Sequence, residues 1–158
     1  MNEIQWFVRV CQIEGLEAAL RELNARVPHR YTGVYRFEGD LMRNLALVDK
    51  AGEARPEHLA AVSFKDSFCQ YVLRDGGFQS GDTGADRRLD GHVYQGVLLS
   101  YHGVPVLDDA GQLFGSLCHF DQDSKELSDG EFAMMQRVAR VIPAFLRSRS
   151  AGIALPAA

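Results

Sequence analysis

Cysteine is scarce in this chain of 158 residues, and its three copies, Cys11, Cys69 and Cys118, are too few and too scattered for a disulfide framework. None belongs to a Cys-x-x-Cys pair, so zinc and dithiol spacings are missing and reduced thiols are expected. Long apolar runs are missing too. Nothing approaches the roughly eighteen residues that cross a bilayer, which excludes a spanning helix and leaves no membrane partner. The opening residues, Met1-Asn2-Glu3-Ile4-Gln5-Trp6, carry neither a basic segment nor the small-residue cleavage site of a secretory signal, so a cytoplasmic location is expected. Basic charge is in deficit: 17 Lys and Arg stand against 21 Asp and Glu, a formal net charge of -4. Binding to phosphate backbones needs clustered cations, so nucleic acid is excluded as a partner. There is no P-loop, dinucleotide fingerprint, His-Glu-x-x-His or Ser-His-Asp constellation.

What remains is the composition of one soluble domain, 46% hydrophobic and 24% charged, with material for a single core. Leu16, Leu20, Leu23 and Val27 form a helical stripe that Pro28 ends, and Ile4, Phe7, Val8 and Cys11 form another upstream. Residues 3–27 are read as one helix, with Gly15 a point where it could kink. Two alternating runs, 31–37 and 43–49, flank Glu38-Gly39-Asp40 and predict a hairpin. A helical turn is expected near 58–62. Ser67-Phe68-Cys69-Gln70 has capping-box spacing before a short helix that Gly76-Gly77 stops. Residues 78–94 read as a brief strand and a long loop. Strands over 98–106 and 112–121 enclose the turn Leu107-Asp108-Asp109-Ala110-Gly111. Ser128-Asp129-Gly130-Glu131 then has the spacing of a second capping box, opening a helix over 129–147 that Pro143 should kink. Residues 148–158 read as a frayed tail.

The block from Leu98 to Glu131 resembles the second half of a GAF domain, a relative of the PAS fold. That family places a Tyr-x-Gly-Val-Pro-Leu strand, a glycine turn, a Leu-x-Gly-x-Leu-Cys strand, an Asp and a final helix in this order. The segment from Asp66 to Leu73 resembles the family's Ser-Phe-Cys helix start, and the segment from Gly81 to Leu89 resembles its Pro-Asp-x-x-x-Asp-x-Arg-Phe loop. The resemblance covers residues 15–147 of a single domain taken as 1–147. It implies an α+β fold: a central antiparallel sheet of five or six strands, the N- and C-terminal helices packed on one face and a ligand pocket on the other.

The resemblance leaves the ligand open, because GAF domains host unrelated molecules. A bilin is disfavoured. Cys118-His119 is offset by one residue from the phytochrome Cys-His pair, and such a slip turns each side chain to the opposite face. The Asp-Ile-Pro element is also missing. A cyclic nucleotide is disfavoured because the Asn-Lys-x-Phe-x-x-x-Asp-Glu signature is absent. Calcium is disfavoured because Glu126 and Phe132 stand where a calcium loop starting at Asp121 needs Gly and Glu. No metal site is expected. Asp82, Asp86, Arg87, Arg88 and His92 could clamp an anion, yet are read first as turn caps and surface ion pairs.

The candidate ligand-binding residues are Phe68, Tyr71, Asp82, Arg87, Arg88, His92, Tyr94, Leu99, Tyr101, Leu117 and His119, suited to a small anionic or aromatic molecule. The leading expectation is a sensing and signalling module without catalysis that acts through a separate partner protein. One alternative is a cysteine-dependent enzyme resembling free methionine sulfoxide reductases, through Cys69 or Cys118. Another is a degenerate domain serving protein contacts, its pocket filled by its own aromatic side chains. The apolar arc of the last helix, with Met134 and Val141 beyond the core stripe, together with Ile4, Phe7, Val8 and Cys11 on the first helix, predicts a homodimer through the terminal helices.

Overall fold

The structure is a computed structural model that describes residues 1–146 in full and, beyond them, the backbone of the last helix to Ala157. The expected frayed tail therefore lies outside the fully described residues. The elements are α1 (Glu3–Glu14), α2 (Leu16–Ala25), β1 (Tyr31–Glu38), β2 (Leu41–Asp49), α3 (Glu57–Ala60), β3 (Ala61–Ser63), α4 (Cys69–Asp75), β4 (Phe78–Ser80), β5 (Ser100–Leu107), β6 (Leu113–Asp121) and α5 (Asp129–Ala157). Every neighbouring pair in the six-stranded sheet, ordered β3-β2-β1-β6-β5-β4, is antiparallel. This is the α+β sheet expected from the hairpin pattern.

Local chemistry explains most boundaries. Asn2 caps α1 through a reciprocal box, its Oδ1 accepting from Gln5 N at 2.8 Å while Gln5 Oε1 accepts from Asn2 N at 2.9 Å. The single helix expected over 3–27 is in fact two, because Gly15 adopts φ 96, closes α1 through its N–H to Cys11 O and redirects the chain. The box expected at Ser67 does not form. Ser67 Oγ donates instead to Phe64 O at 2.8 Å in the preceding 3-10 turn, and α4 has Phe68 at its N-cap with no side-chain cap. At Ser128 only half of the box is made: Glu131 N donates to Ser128 Oγ at 3.2 Å, while the Glu131 carboxylate is taken by Arg26 at 2.8 Å. α5 continues through Pro143 as one helix.

The two faces of the sheet bury different chemistry. Val34, Ala46, Val48, Val104, Val106 and Leu117 meet α1, α2 and α5 in an aliphatic core. On the other face Tyr35, Met42, Phe68, Val72, Tyr101, Cys118 and Phe120 pack under α4 and the connection after β4. Met134, which the sequence pattern assigned to excess apolar surface, is fully buried in the first core beside Phe7 of α1. Among the described residues no helix is long and apolar enough to cross a membrane.

Candidate functional site

Beneath α4, against the aromatic face of the sheet, lies a cavity of about 100 Å³. Its floor comes from alternate residues of adjacent strands, because one strand face carries every second side chain. Tyr35 of β1, Cys118 and Phe120 of β6 and Tyr101 of β5 project into it, with Phe68 and Cys69 above and Tyr94, Val97 and Leu98 along one side. Leu59, Met42 and Val62 close the far wall, and Ser67, His58 and Gln122 add the remaining polar groups. The strand row Gly33, Cys118 and Gly103 lets the tyrosine rings lie down on the sheet: a Cβ at Gly103 would fall 2.8 Å from the Tyr101 ring, and one at Gly33 would fall 3.1 Å from the Tyr35 ring.

The polar atoms of the floor are already engaged. Tyr35 Oη donates to Leu59 O at 3.0 Å, and Cys69 Sγ lies 3.3 Å from both Tyr101 Oη and Ser116 Oγ. Burial raises the pKa of Cys69 despite these hydrogen bonds, and raises that of Cys118 well above an ordinary thiol. Tyr35 and Tyr101 are pushed up for the same reason. Near neutral pH the cavity therefore presents thiols and phenols, not thiolates and phenolates.

Of the residues picked out from the sequence, Phe68, Tyr94 and Tyr101 line this cavity. His92 lies behind the wall, its ring centroid 4.5 Å from that of Phe68 and its Nδ1 accepting from Tyr94 N. Tyr71 packs on Phe78 at 5.2 Å, outside the lining. Asp82 caps a turn by accepting from Gly84 N, Arg87 is exposed, and Arg88 chelates Asp86 and lies 4.5 Å over the Phe78 ring. Leu99 lends its carbonyl to Thr83 N. Leu117 and His119 face the helices, because the register pairs His119 with Thr32 and His102 while the cavity takes Cys118 and Phe120. The sequence reading missed Tyr35 and Phe120, whose signal was available: the tighter aliphatic alternation belongs against amphipathic helices, leaving the aromatic and cysteine alternation for the pocket.

The helix side of the same strands holds a second cluster that the sequence did not reveal. His29, His102 and His119 are each no more than 2% exposed. His29 Nε2 lies 3.0 Å from His102 Nδ1, and Thr32 Oγ1 lies 2.6 Å from His119 Nδ1. Lys50 reaches in from the surface to Asn24 Oδ1, which orients that amide so that its Nδ2 donates to Thr32 Oγ1 at 2.8 Å. Thr32 Oγ1 and His119 Nδ1 share a hydrogen bond, and His119 Nε2 has no hydrogen-bond partner among the described residues. Burial lowers the pKa of His29 and His102 to about 4 and that of His119 well below its ordinary value. Among the described residues no group of His, Cys, Asp or Glu is arranged to hold a metal ion. Asp121, once a candidate calcium ligand, spends both oxygens on the backbone N–H groups of Arg30 and Asp123.

No family model matches the chain, and neither does any curated protein. Solved structures do resemble it. The GAF domain of an Acinetobacter phosphoenolpyruvate-protein phosphotransferase superposes with TM-score 0.72 at 10% identity, covering 94% of each chain. The type II free methionine-R-sulfoxide reductase of Thermoplasma acidophilum gives TM-score 0.66 at 18% identity over 92% of this chain and 96% of that one. The phycocyanobilin-bound GAF domain of a cyanobacterial phytochrome gives 0.65 at 15% identity over 91% and 95%. The fold is therefore GAF-like, and it is shared by sensor domains and by reductases.

Proposed function

We propose that this GAF-like chain is a small-molecule-binding sensor module without catalytic activity, and that it passes its ligand state to a separate partner protein. The observation that carries this reading is a preformed apolar cavity whose two thiols are held protonated by burial. Pockets of this kind bind, whereas thiol catalysis requires an accessible thiolate.

A second reading has its own support: Cys69 and Cys118 line the same cavity, and free methionine-R-sulfoxide reductases are among the structural neighbours. Replacing both cysteines (Cys69→Ser with Cys118→Ser) and assaying thiol-dependent reduction of free methionine sulfoxide separates the two. The sensor reading expects no turnover in either protein. Turnover in the parent that disappears in the double variant overturns it. An open cavity counts against the third reading, a degenerate domain packed with its own aromatics.

We also propose that two copies pair through the terminal helices. Met134 and Phe7 are buried in the core, whereas on the outer side of α1 Ile13 is 68% exposed and Trp6 and Val10 are half-buried. Light scattering at high micromolar concentration should report the mass of a dimer, and Ile13→Glu should return it to that of a monomer. A parent chain that stays monomeric there refutes the pairing.

A further inference from the structure

We infer that the cavity takes an uncharged ligand built on one flat ring, carrying a single hydrogen-bonding substituent that points to the mouth. This rests on the reading of the chain as a ligand-binding module and specifies the chemistry of its site.

Charge decides first. No Asp, Glu, Lys or Arg lines the cavity, and the cations that would have favoured an anion, Arg87 and Arg88, lie outside it. A buried ion without a partner is far costlier than a buried neutral polar group, so a carboxylate, phosphate or ammonium would have nothing to offset its lost hydration. Hydrogen-bonding capacity decides next. Deep in the cavity the Tyr35 hydroxyl is committed to Leu59 O, the Tyr101 hydroxyl to Cys69, and Cys118 Sγ lies 3.7 Å from Gly33 O. At the mouth the exposed Gln122 and His58 offer donors and acceptors within reach of water, whereas each deep hydroxyl and thiol already holds a partner. The ligand's polar end is therefore outward and its apolar end inward.

Shape and size complete the assignment. The Tyr101 and Tyr35 rings lie against Gly103 and Gly33, so the floor is broad and aromatic, and Phe68 stands over Tyr101 with ring centroids 5.4 Å apart. Aromatic walls of this kind favour offset and edge contacts with another ring. A volume of about 100 Å³ suits one ring.

The test titrates the full chain with four probes of similar shape: neutral phenol and benzyl alcohol, anionic benzoate and cationic benzylammonium. Binding is followed through the ring-proton resonances of Tyr101 and Phe120. Ligands of seven or eight non-hydrogen atoms reach dissociation constants from about 10 μM to 1 mM, so shifts at those two rings are expected with the neutral pair. The charged pair should bind at least about tenfold more weakly. Cys118→Leu, which fills the floor, should weaken phenol binding about tenfold, and if that variant does not fold the parent's ring shifts locate the site alone. Benzoate or benzylammonium binding as well as phenol at the same rings overturns the ligand class and leaves the binding module standing. Native mass spectrometry of the protein purified from its own host reads the module separately. A co-purifying charged molecule again removes only the class, whereas no adduct and no response to any probe removes both.

Discussion

Acidification from pH 7 to about 4.5 should strip this protein of a large share of its stability. His29 and His102 have pKa values lowered by burial to about 4, and His119 lies well below 6.5 for the same reason. Protonation of His29 or His119 places a cation beside Lys50, which already donates to Asn24 and to His29 O, and protonation of His102 places one against His29; Asp121 offsets this for His29, while Lys125 adds to the repulsion there. The unfolded chain binds these protons near pH 6.5 and the folded one does not, so stability falls as pH drops through the window from 6.5 to about 4. Each pK unit is worth about 1.4 kcal/mol, and several such units are a serious loss against a typical total of about 5–15 kcal/mol. His92, lowered chiefly by its own burial, adds to the same window, whereas the Asp86 carboxyl, held at about 2 chiefly by Arg88, acts mainly below pH 4. Urea unfolding at pH 7, 6, 5 and 4.5 measures the slope, and His102→Leu should make it shallower by removing one ring of the cluster. A parent protein equally stable across this range would show that the histidines are not held neutral in the core.

That cluster also shows where sequence reading stops. The hairpins and the succession of elements were legible because alternation, turn glycines and helical stripes are local signals, and the resemblance to the GAF layout rests on them. The cavity-facing side of β6 was not, since a period of two separates Leu117 and His119 from Cys118 and Phe120 without saying which set meets the helices. Tyr101 was placed in the cavity by the same kind of reasoning, but its true neighbours are Phe120 and Cys118, through register. His29 sits just after Pro28 in a connection with no periodicity, and only the cross-strand row of Thr32, His119 and His102 gives it a purpose. Capping signals failed where a competitor took the side chain. Phe64 O engages Ser67, and Arg26 engages Glu131, and both partners depend on tertiary approach.

Two glycine-to-alanine changes should separate the cavity from the framework that carries it. At Gly115 an added Cβ would run into the carbonyl of Tyr35, a backbone group that cannot rotate away, so β1 and β6 must part in the middle of the sheet. Overpacking typically costs about 1–3 kcal/mol, and Gly115→Ala belongs at or above the top of that range. At Gly103 the obstructing atoms are side chains, the Tyr101 ring at 2.8 Å and Val72 Cγ2 at 2.8 Å. They can yield, and the direction in which Tyr101 yields is into the cavity. Gly103→Ala should therefore cost less stability than Gly115→Ala while abolishing the response of the Tyr101 and Phe120 resonances to phenol. Denaturant midpoints and the phenol titration measure the two effects on the same samples. Equal destabilisation by both variants, or unchanged phenol binding in Gly103→Ala, would mean that the glycine row does not set the cavity floor.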